Sequence, residues 1–268
     1  MDRAPAAEAE GAAAPLRHQR LWSGAEPGGV SATLTYYAPD WRQAAHAHDY
    51  HQLSFLLLGE LREESRHGEF DLCGTRTGFK PADLRHSVVF GTQGALLFSL
   101  RYDDGLGGGE GPPAGWGPSQ DVSGVLSLIG LAVRATADAD RADALADLAA
   151  IAGELQPPVT AAAAPRWLVE ARAAIREAPH AARIDDIALR AGVHRNCLRR
   201  SFLRYYRVLP SIYRRRCMAA RALPRVFQGA DRLTMVAAAA GFADHSHLAR
   251  TVKDATGLTM SELRLLLA

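Results

Sequence analysis

Ile187-Ala-Leu-Arg-Ala-Gly192-Val193, followed after four residues by Leu198-Arg-Arg200-Ser201-Phe202, is written twice in this chain. The second copy reads Val236-Ala-Ala-Ala-Ala-Gly241-Phe242 and, after five residues, Leu248-Ala-Arg250-Thr251-Val252. One inserted residue separates the two spacings. Each copy predicts a short Ala-rich helix, a turn at Gly and an apolar residue, then a second helix with Arg two places after an inward Leu. Two helices joined by a short Gly-containing turn make a helix-turn-helix, whose second helix can lie in a DNA major groove.

The charge distribution agrees. Formal net charge is only +2 over 268 residues, but residues 165–268 hold 19 Arg/Lys against 8 Asp/Glu, a net of +11, and residues 1–164 hold 12 against 21, a net of −9. A basic module that meets a polyanion is joined to an acidic module that does not. With 48% hydrophobic residues there is material for a core in each. Cys73, Cys197 and Cys217 are few and scattered, which excludes a disulfide framework or zinc knuckle. No signal peptide or membrane-spanning run is present in the sequence, so a cytoplasmic protein is expected.

Outside the repeat, residues 1–15 lack periodicity and predict a disordered tail. From Leu16 to Tyr102, short apolar runs (Ala32–Tyr37, Leu53–Leu58, Ser87–Phe90, Ala95–Leu100) alternate with Gly, Pro and Asp clusters, predicting an antiparallel sandwich or barrel. Glu60, Glu63 and Glu64 follow Gly59 in a turn-rich stretch and are expected in solvent. Gly105 to Pro118, with seven Gly and three Pro in fourteen residues, predicts a flexible connection and no packed element. Val122, Val125, Leu126, Ile129 and Val133 form one helical stripe, and Leu145, Leu148, Ala152 and Leu155 another. Such a pair can cover the barrel or offer its stripe to a second subunit, making a homodimer the default assembly. Gln156-Pro157-Pro158 ends the second helix and Ala161–Ala164 reads as a linker. The expected organisation is a tail (1–15), a sensor domain (16–118), a helical connector (119–164) and an all-α domain (165–268), an α+β chain of two domains.

With Leu198, Phe202, Leu248 and Val252 inward, helical geometry exposes Arg195, Asn196, Arg199 and Arg200 in copy one. In copy two it exposes His245, Ser246, Ala249 and Arg250. Arg can grip guanine O6/N7 with two hydrogen bonds and Asn adenine N6/N7, so these residues, Ala249 apart, are the expected base readers. Arg204, Arg214, Arg215, Arg216, Arg221 and Lys253 suit phosphates.

Gly241-Phe-Ala-Asp-His-Ser-His-Leu-Ala-Arg250, Pro165-Arg-Trp167-Leu, Ile187-Ala188, Arg200-Ser-Phe202 and Tyr213-Arg214 resemble the DNA-binding domain of AraC/XylS-family transcription regulators. The resemblance implies two helix-turn-helix units on a rigid linker helix, reading major-groove faces one turn (~34 Å) apart. It also implies double-stranded DNA and RNA polymerase as partners. Four positions depart from the pattern. His245 stands where Gln is usual, Val252 where Phe is usual, and Arg207 where a helix-ending Gly is usual. Pro224 is expected to kink or end the linker helix.

His46-Ala-His48-Asp-Tyr-His-Gln52, six residues, then Gly59 follows cupin spacing, with Gln52 in place of Glu. Pro81-Ala-Asp83-Leu-Arg-His86 follows the second cupin motif, with Asp83 in place of Gly. The region therefore resembles the cupin-like effector domains that precede this DNA-binding domain in many family members. His46, His48, Gln52 and His86 are read as lining the pocket of an unidentified small-molecule effector, with a divalent-metal site as the alternative use of the same imidazoles. Fold analogy alone does not establish chemistry. The expected class is accordingly a non-enzymatic regulator without a required cofactor, and the competing one is a metal-dependent cupin enzyme with a helical accessory domain.

Overall fold

The computed structural model describes residues 18–25, 30–102, 113–119, 121–153, 164–229 and 231–266. The expected tail, most of the Gly-rich connection, and the Pro157-Pro158 and Ala161–Ala163 stretches lie outside them. No helix among the described residues is long and apolar enough to cross a membrane.

Eight strands, β1 (His18–Ala25), β2 (Ser31–Tyr37), β3 (Arg42–His46), β4 (His51–Ser65), β5 (Gly68–Cys73), β6 (Arg76–Lys80), β7 (His86–Tyr102) and β8 (Gly115–Pro118), form one antiparallel sheet. Its path runs β1-β2-β7-β4-β6-β8, with β3 on β7 and β5 on β4. The path is bent but not closed by hydrogen bonds, so β1 and β8 remain its ends. The bend is built into the two long central strands. The apolar runs Ser87–Phe90 and Ala95–Leu100 belong to one strand, β7, and β4 passes through register shifts at Leu56/Leu58 and Gly59/Leu61. Gly59 (φ 90°) and Gly94 (φ 68°) meet at the bend, where a Cβ on Gly59 would lie 2.1 Å from the Gly94 carbonyl oxygen. Only glycine fits that approach.

Two expectations fail here. Gly115–Pro118 is no loose connection: it pairs with β6, and the buried Trp116 ring lies under the Lys80 ammonium, 4.9 Å from its centroid. Glu60 and Glu63 are not solvated: they sit inside β4 at 4% and 2% exposure, whereas Glu64 is exposed as expected.

The helices are α1 (Val122–Arg134), α2 (Asp138–Gly153), α3 (Arg166–Glu177), α4 (Ile184–Arg190), α5 (Arg195–Tyr206), α6 (Pro210–Gln228), α7 (Leu233–Ala239), α8 (His245–Thr256) and α9 (Met260–Leu265). The described parts of the α1 and α2 stripes do not wait for a second subunit; Leu155 lies outside the described residues. Val125, Leu126, Ile129, Leu145 and Leu148 join one core with Leu53, Phe55 and Phe98 of the sheet, Leu248 and Val252 of the second repeat, and Leu263 of α9. The first repeat packs separately, Ile187, Leu198, Phe202 and Tyr213 gathering around Leu168 and Ile175 with Cys73 of β5. Helix α6 spans both cores, contributing Tyr213 and Cys217 to one and Met218 through Phe227 to the other. Pro224 does not end α6, which continues to Gln228. Leu223, Val226 and Phe227 around the proline are buried, and their packing outweighs the missing backbone donor.

A charged cluster joins the two domains. Glu60 of β4 accepts from Arg172 (3.2 Å) and Arg176 (3.4 Å) of α3 and from the Tyr213 hydroxyl of α6. Arg172 also grips Asp71 with two bonds of 2.8 and 2.9 Å. Burial first, and beside it the neighbouring Cys217 and the Glu60 carboxylate, hold the Tyr213 hydroxyl well above the usual tyrosine range, so it stays a donor at neutral pH. Removing one partner of a buried pair strands the other charge. Arg172→Ala should therefore lower the unfolding free energy in urea by about 3–5 kcal/mol. Arg166→Ala, which breaks the fully exposed pair with Glu170, should leave the midpoint unchanged.

Candidate nucleic-acid interface and histidine cluster

The repeat seen in the sequence is also a repeat of hydrogen bonds. In copy one, Gly192 (φ 66°) donates to the Leu189 carbonyl and Val193 to that of Ala188, both at 3.0 Å. In copy two, Gly241 (φ 83°) donates to Ala238 at 3.0 Å and Phe242 to Ala237 at 2.9 Å. This pairing closes a helix with a left-handed residue, a geometry glycine adopts at little cost. At Gly241 space matters as well, since a Cβ would lie 2.6 Å from that of His180. The second helices are then capped by side chains. His194 Nδ1 accepts from the Asn196 amide (3.2 Å), and Asp244 accepts from the His247 amide (2.7 Å). Both helices end on a left-handed residue, Arg207 (φ 56°) and Gly257 (φ 73°).

Arg195, Asn196, Arg199 and Arg200 are all exposed on α5, as are His245, Ser246 and Arg250 on α8, whereas Ala249 is half-buried. Arg195 is held 3.4 Å from Asp185. Among the described residues Arg199, Arg200 and Arg250 make no ion pair. Leu198, Phe202, Leu248 and Val252 are buried beneath them.

The expected phosphate contacts divide into two sets. Arg204, Arg215 and Lys253 are exposed. Arg214 instead donates to the Pro179 (2.6 Å) and His180 (3.2 Å) carbonyls, and Arg221 to those of Arg176 and Glu177 (both 2.8 Å). Arg216 lines a cavity against the sheet. Arg214 and Arg221 are thus engaged by backbone carbonyls, and Arg216 faces that cavity.

In the sheet domain, His46, His48 and His86 come together, with ligand-type nitrogens all within 4.8 Å of one another. The Nδ1 atoms of His46 and His86 lie 2.7 and 3.0 Å from the Ala44 and Leu84 carbonyls, and that of His48 lies 3.2 Å from the Tyr50 hydroxyl. With each Nδ1 engaged, the Nε2 atoms remain for a shared ligand. Burial, then the neighbouring His46 and His86, push His48 down to about 4, so its imidazole is neutral at physiological pH. Gln52 lines the same cavity of about 90 Å³, its amide donating to Ser54 (2.9 Å) and Ser99 (3.3 Å). Asp83 takes a left-handed φ of 59° where the motif usually has Gly, and its amide donates to the His48 carbonyl at 2.6 Å. That bond ties the turn before His86 to the β3–β4 connection bearing His48. The sequence reading missed Glu63 and Lys80, a buried pair 3.1 Å apart on the cavity wall. A Lys and a Glu in strands facing one cavity are a usable signal, but the β4 bulge hid their common side.

Comparison with known proteins agrees with the geometry. Residues 187–265 match the family model described as a helix-turn-helix domain, a span that includes both copies. Among curated proteins none matches. A transcriptional regulator of Chromobacterium violaceum, described by its AraC-type DNA-binding domain, is 28% identical over 38% of this chain and 92% of its own, with a TM-score of 0.35. ToxT from Vibrio cholerae is 11% identical over 90% of this chain and 98% of its own (TM-score 0.37). KdgF from Halomonas sp. is 17% identical over 32% of this chain and 77% of its own (TM-score 0.30). At TM-scores below 0.5 these likenesses carry no weight of their own; the family model does. The C-terminal region is a helix-turn-helix domain.

Arg200→Ala and Arg250→Ala should each weaken binding to the protein's preferred DNA by roughly 1–3 kcal/mol and relax base discrimination locally. Arg215→Ala should weaken binding to all sequences alike and reduce the salt slope by about one. Competition binding against randomised duplexes at several salt concentrations measures both.

Proposed function

We propose that the chain is a sequence-specific DNA-binding transcription regulator that acts by binding, not by turnover. The observation that carries this is the pair of capped helices, α5 and α8, which present exposed and mostly unpaired basic side chains at repeated offsets. Arg195, Asn196, Arg199 and Arg200 are assigned to base reading in one groove segment, and His245, Ser246 and Arg250 in the next. Arg204, Arg215 and Lys253 are assigned to phosphates. The sheet domain is assigned as the sensor, because its contacts through Glu60 and Arg172 reach α3 and α6. A bound effector that shifts those contacts would alter how the recognition helices are offered to DNA. Two copies on a two-part operator, and contact with RNA polymerase in the cytoplasm, complete the proposal. The α1 and α2 stripes are already packed within the chain, so a dimer needs another surface.

Genome-wide mapping of bound DNA followed by footprinting should give two protected major-groove segments about 10 base pairs apart for each copy of the chain. Protection of a single segment, or sequence-independent coating, would end the two-reader proposal.

The histidine cluster favours a second reading of the sensor, in which its ligand is a divalent metal. Three imidazoles with their second nitrogens tied back suit a first-row ion. His46, His48 and His86 would hold it, and Gln52 stands on the same wall. Such an ion would supply a Lewis-acidic centre able to take an anionic or carbonyl ligand. Elemental analysis of the purified chain should then find about one equivalent of metal, lost in His46→Ala and in His86→Ala but retained in His51→Ala. Metal-free protein that still binds DNA would leave the histidines as polar pocket lining.

A further inference from the structure

Helices α5 and α8 have twelve residues each and end in the same way. The residue after each helix, Arg207 or Gly257, is left-handed and donates to the carbonyl four residues back, Leu203 at 3.1 Å or Lys253 at 2.8 Å. The remaining carbonyls of the last turn have no partner within the helix. They carry the partial negative charge of the helix end. In both copies an arginine from outside the repeat reaches that end. Arg76 of β6 donates to the Tyr206 carbonyl, and Arg134 of α1 donates to the Gly257 carbonyl at 2.9 Å. The acceptors are the last residue of α5 and the first residue beyond α8.

For Arg76 the helix end replaces a carboxylate. Its side chain is half-buried and makes no ion pair among the described residues. Burial pushes it down from the ordinary arginine value, and the nearby Arg172 and Arg207 add to that as like charges. Cys73 would favour the cation only as a thiolate, and burial pushes its thiol up, so it stays neutral. The guanidinium donates to the Thr75 carbonyl at 3.0 Å and to the end of α5. A cation compensated by a helix terminus is held to the last turn of that helix.

Arg134 holds the end of α8 at two points. Its Nη2 donates to the Gly257 carbonyl and its Nε to the Glu262 carboxylate of α9 at 2.7 Å, bridging the turn between the two helices. Backbone contact reinforces the grip, since a Cβ on Gly257 would lie 2.3 Å from the Leu126 carbonyl oxygen of α1. Both arginines precede residues 187–265, the span of the helix-turn-helix match. Arg195 and Asn196, like His245 and Ser246, lie at the opposite end of their helices, roughly 16 Å away at 1.5 Å per residue. The grips therefore leave the reading ends open. A tilt at the held end is carried along the helix to the bases.

We propose, on the DNA-reading assignment of α5 and α8, that Arg76 and Arg134 are positioning residues that set the spacing of the two DNA segments the chain accepts. The readers belong to separate cores, and α6 is the helix that spans both. With α6 as their one bridge, their relative tilt would follow the bending of a single helix. The sheet and the connector, which share a core, add a second bridge by holding each reader at its far end. A duplex turns by roughly 35° per base pair, so a fixed pair of readers fits one spacing and misses its neighbours.

The test starts from a duplex that the full chain selects from a randomised pool. Its two protected segments are moved together or apart in steps of one base pair, and the affinity for each duplex is measured. The parent chain should prefer one spacing over its neighbours by roughly tenfold or more. In Arg76→Gln and in Arg134→Gln that ratio should fall below about threefold, because the preferred spacing loses affinity and its neighbours do not. Glu262→Gln breaks the ion pair of Arg134 but keeps the donor to Gly257, so it should retain the parent ratio. A ratio between duplexes does not depend on the fraction of folded protein, so a destabilised variant still reports. Unchanged ratios in both arginine variants, whatever the loss of affinity, would make these contacts structural only and overturn the proposal. Tighter binding at every spacing would overturn it as well, since the arginines would then hold the readers away from DNA. A parent chain that binds its selected duplex equally at all spacings would end the proposal alone. One that selects no sequence would end the DNA-reading assignment and the proposal with it.

Discussion

Glu60 is a carboxylate taken almost fully out of water, and the arrangement of the two domains depends on how that is tolerated. Such a group costs several kcal/mol to bury unless fixed donors replace its hydration. Among the described residues its side-chain donors come from the helical domain: Arg172 and Arg176 on α3 and Tyr213 on α6. Arg172 is itself buried, bonded to Glu60 and Asp71 on one side and stacked 5.0 Å over the Tyr206 ring on the other. Neither domain can leave without re-solvating the charges of the other. A polar linkage thus stands beside the shared apolar core, the kind of contact a switch can use.

Helix α6 carries that constraint to both DNA-reading units. Its first turns present Tyr213 to Glu60, and its later turns fill the core beneath copy two. The two copies nevertheless meet different parts of the sheet domain and connector. Copy one touches the sheet through Cys73 and through Arg76, which donates to the Tyr206 carbonyl. Copy two touches the connector. Arg134 of α1 pairs with Glu262 at 2.7 Å and donates to the Gly257 carbonyl at 2.9 Å. A Cβ at Gly257 would lie 2.3 Å from the Leu126 carbonyl oxygen, so glycine is required there by contact as well as by φ. Copy two also shares its apolar core with the sheet, so a change in the sheet reaches both copies.

What was legible in the sequence was what local rules decide. The turns at Gly192 and Gly241 close through bonds within five residues, and the inward Leu198 and Leu248 follow from helical period, so the repeat could be read directly. The histidines were legible from the spacing of the two motifs, although His48 lies in the connection after β3 and not on a strand with His46. Glu60 and Glu63 were not, because register shifts in β4 change which parity faces the core, and because the partners of Glu60 lie more than a hundred residues away. Trp116 and its short strand were hidden by the glycines and prolines around them, since packing on β6 outweighs that composition. The uninterrupted helix at Pro224 and the internal use of the α1 and α2 stripes are likewise tertiary outcomes. Propensity and periodicity supply the faces but not what covers them.

The division into acidic and basic halves takes on a spatial meaning once the contacts are known. Acidic groups of the sheet go to Arg172 and Arg176, which lie on the interior side of the helical domain. Arg214 and Arg221 are fixed by carbonyls of the same domain. Docking thus neutralises or engages the arginines that face inward. Arg199, Arg200 and Arg250 stay exposed, and no carboxylate of the acidic half pairs with them among the described residues. The near-zero total charge therefore conceals a polarised molecule. A field of one sign over the recognition helices speeds and orients the approach of a polyanion, whereas the same charges spread evenly would not. The acidic domain cancels the charge that would draw DNA to the wrong face and leaves the reading face basic.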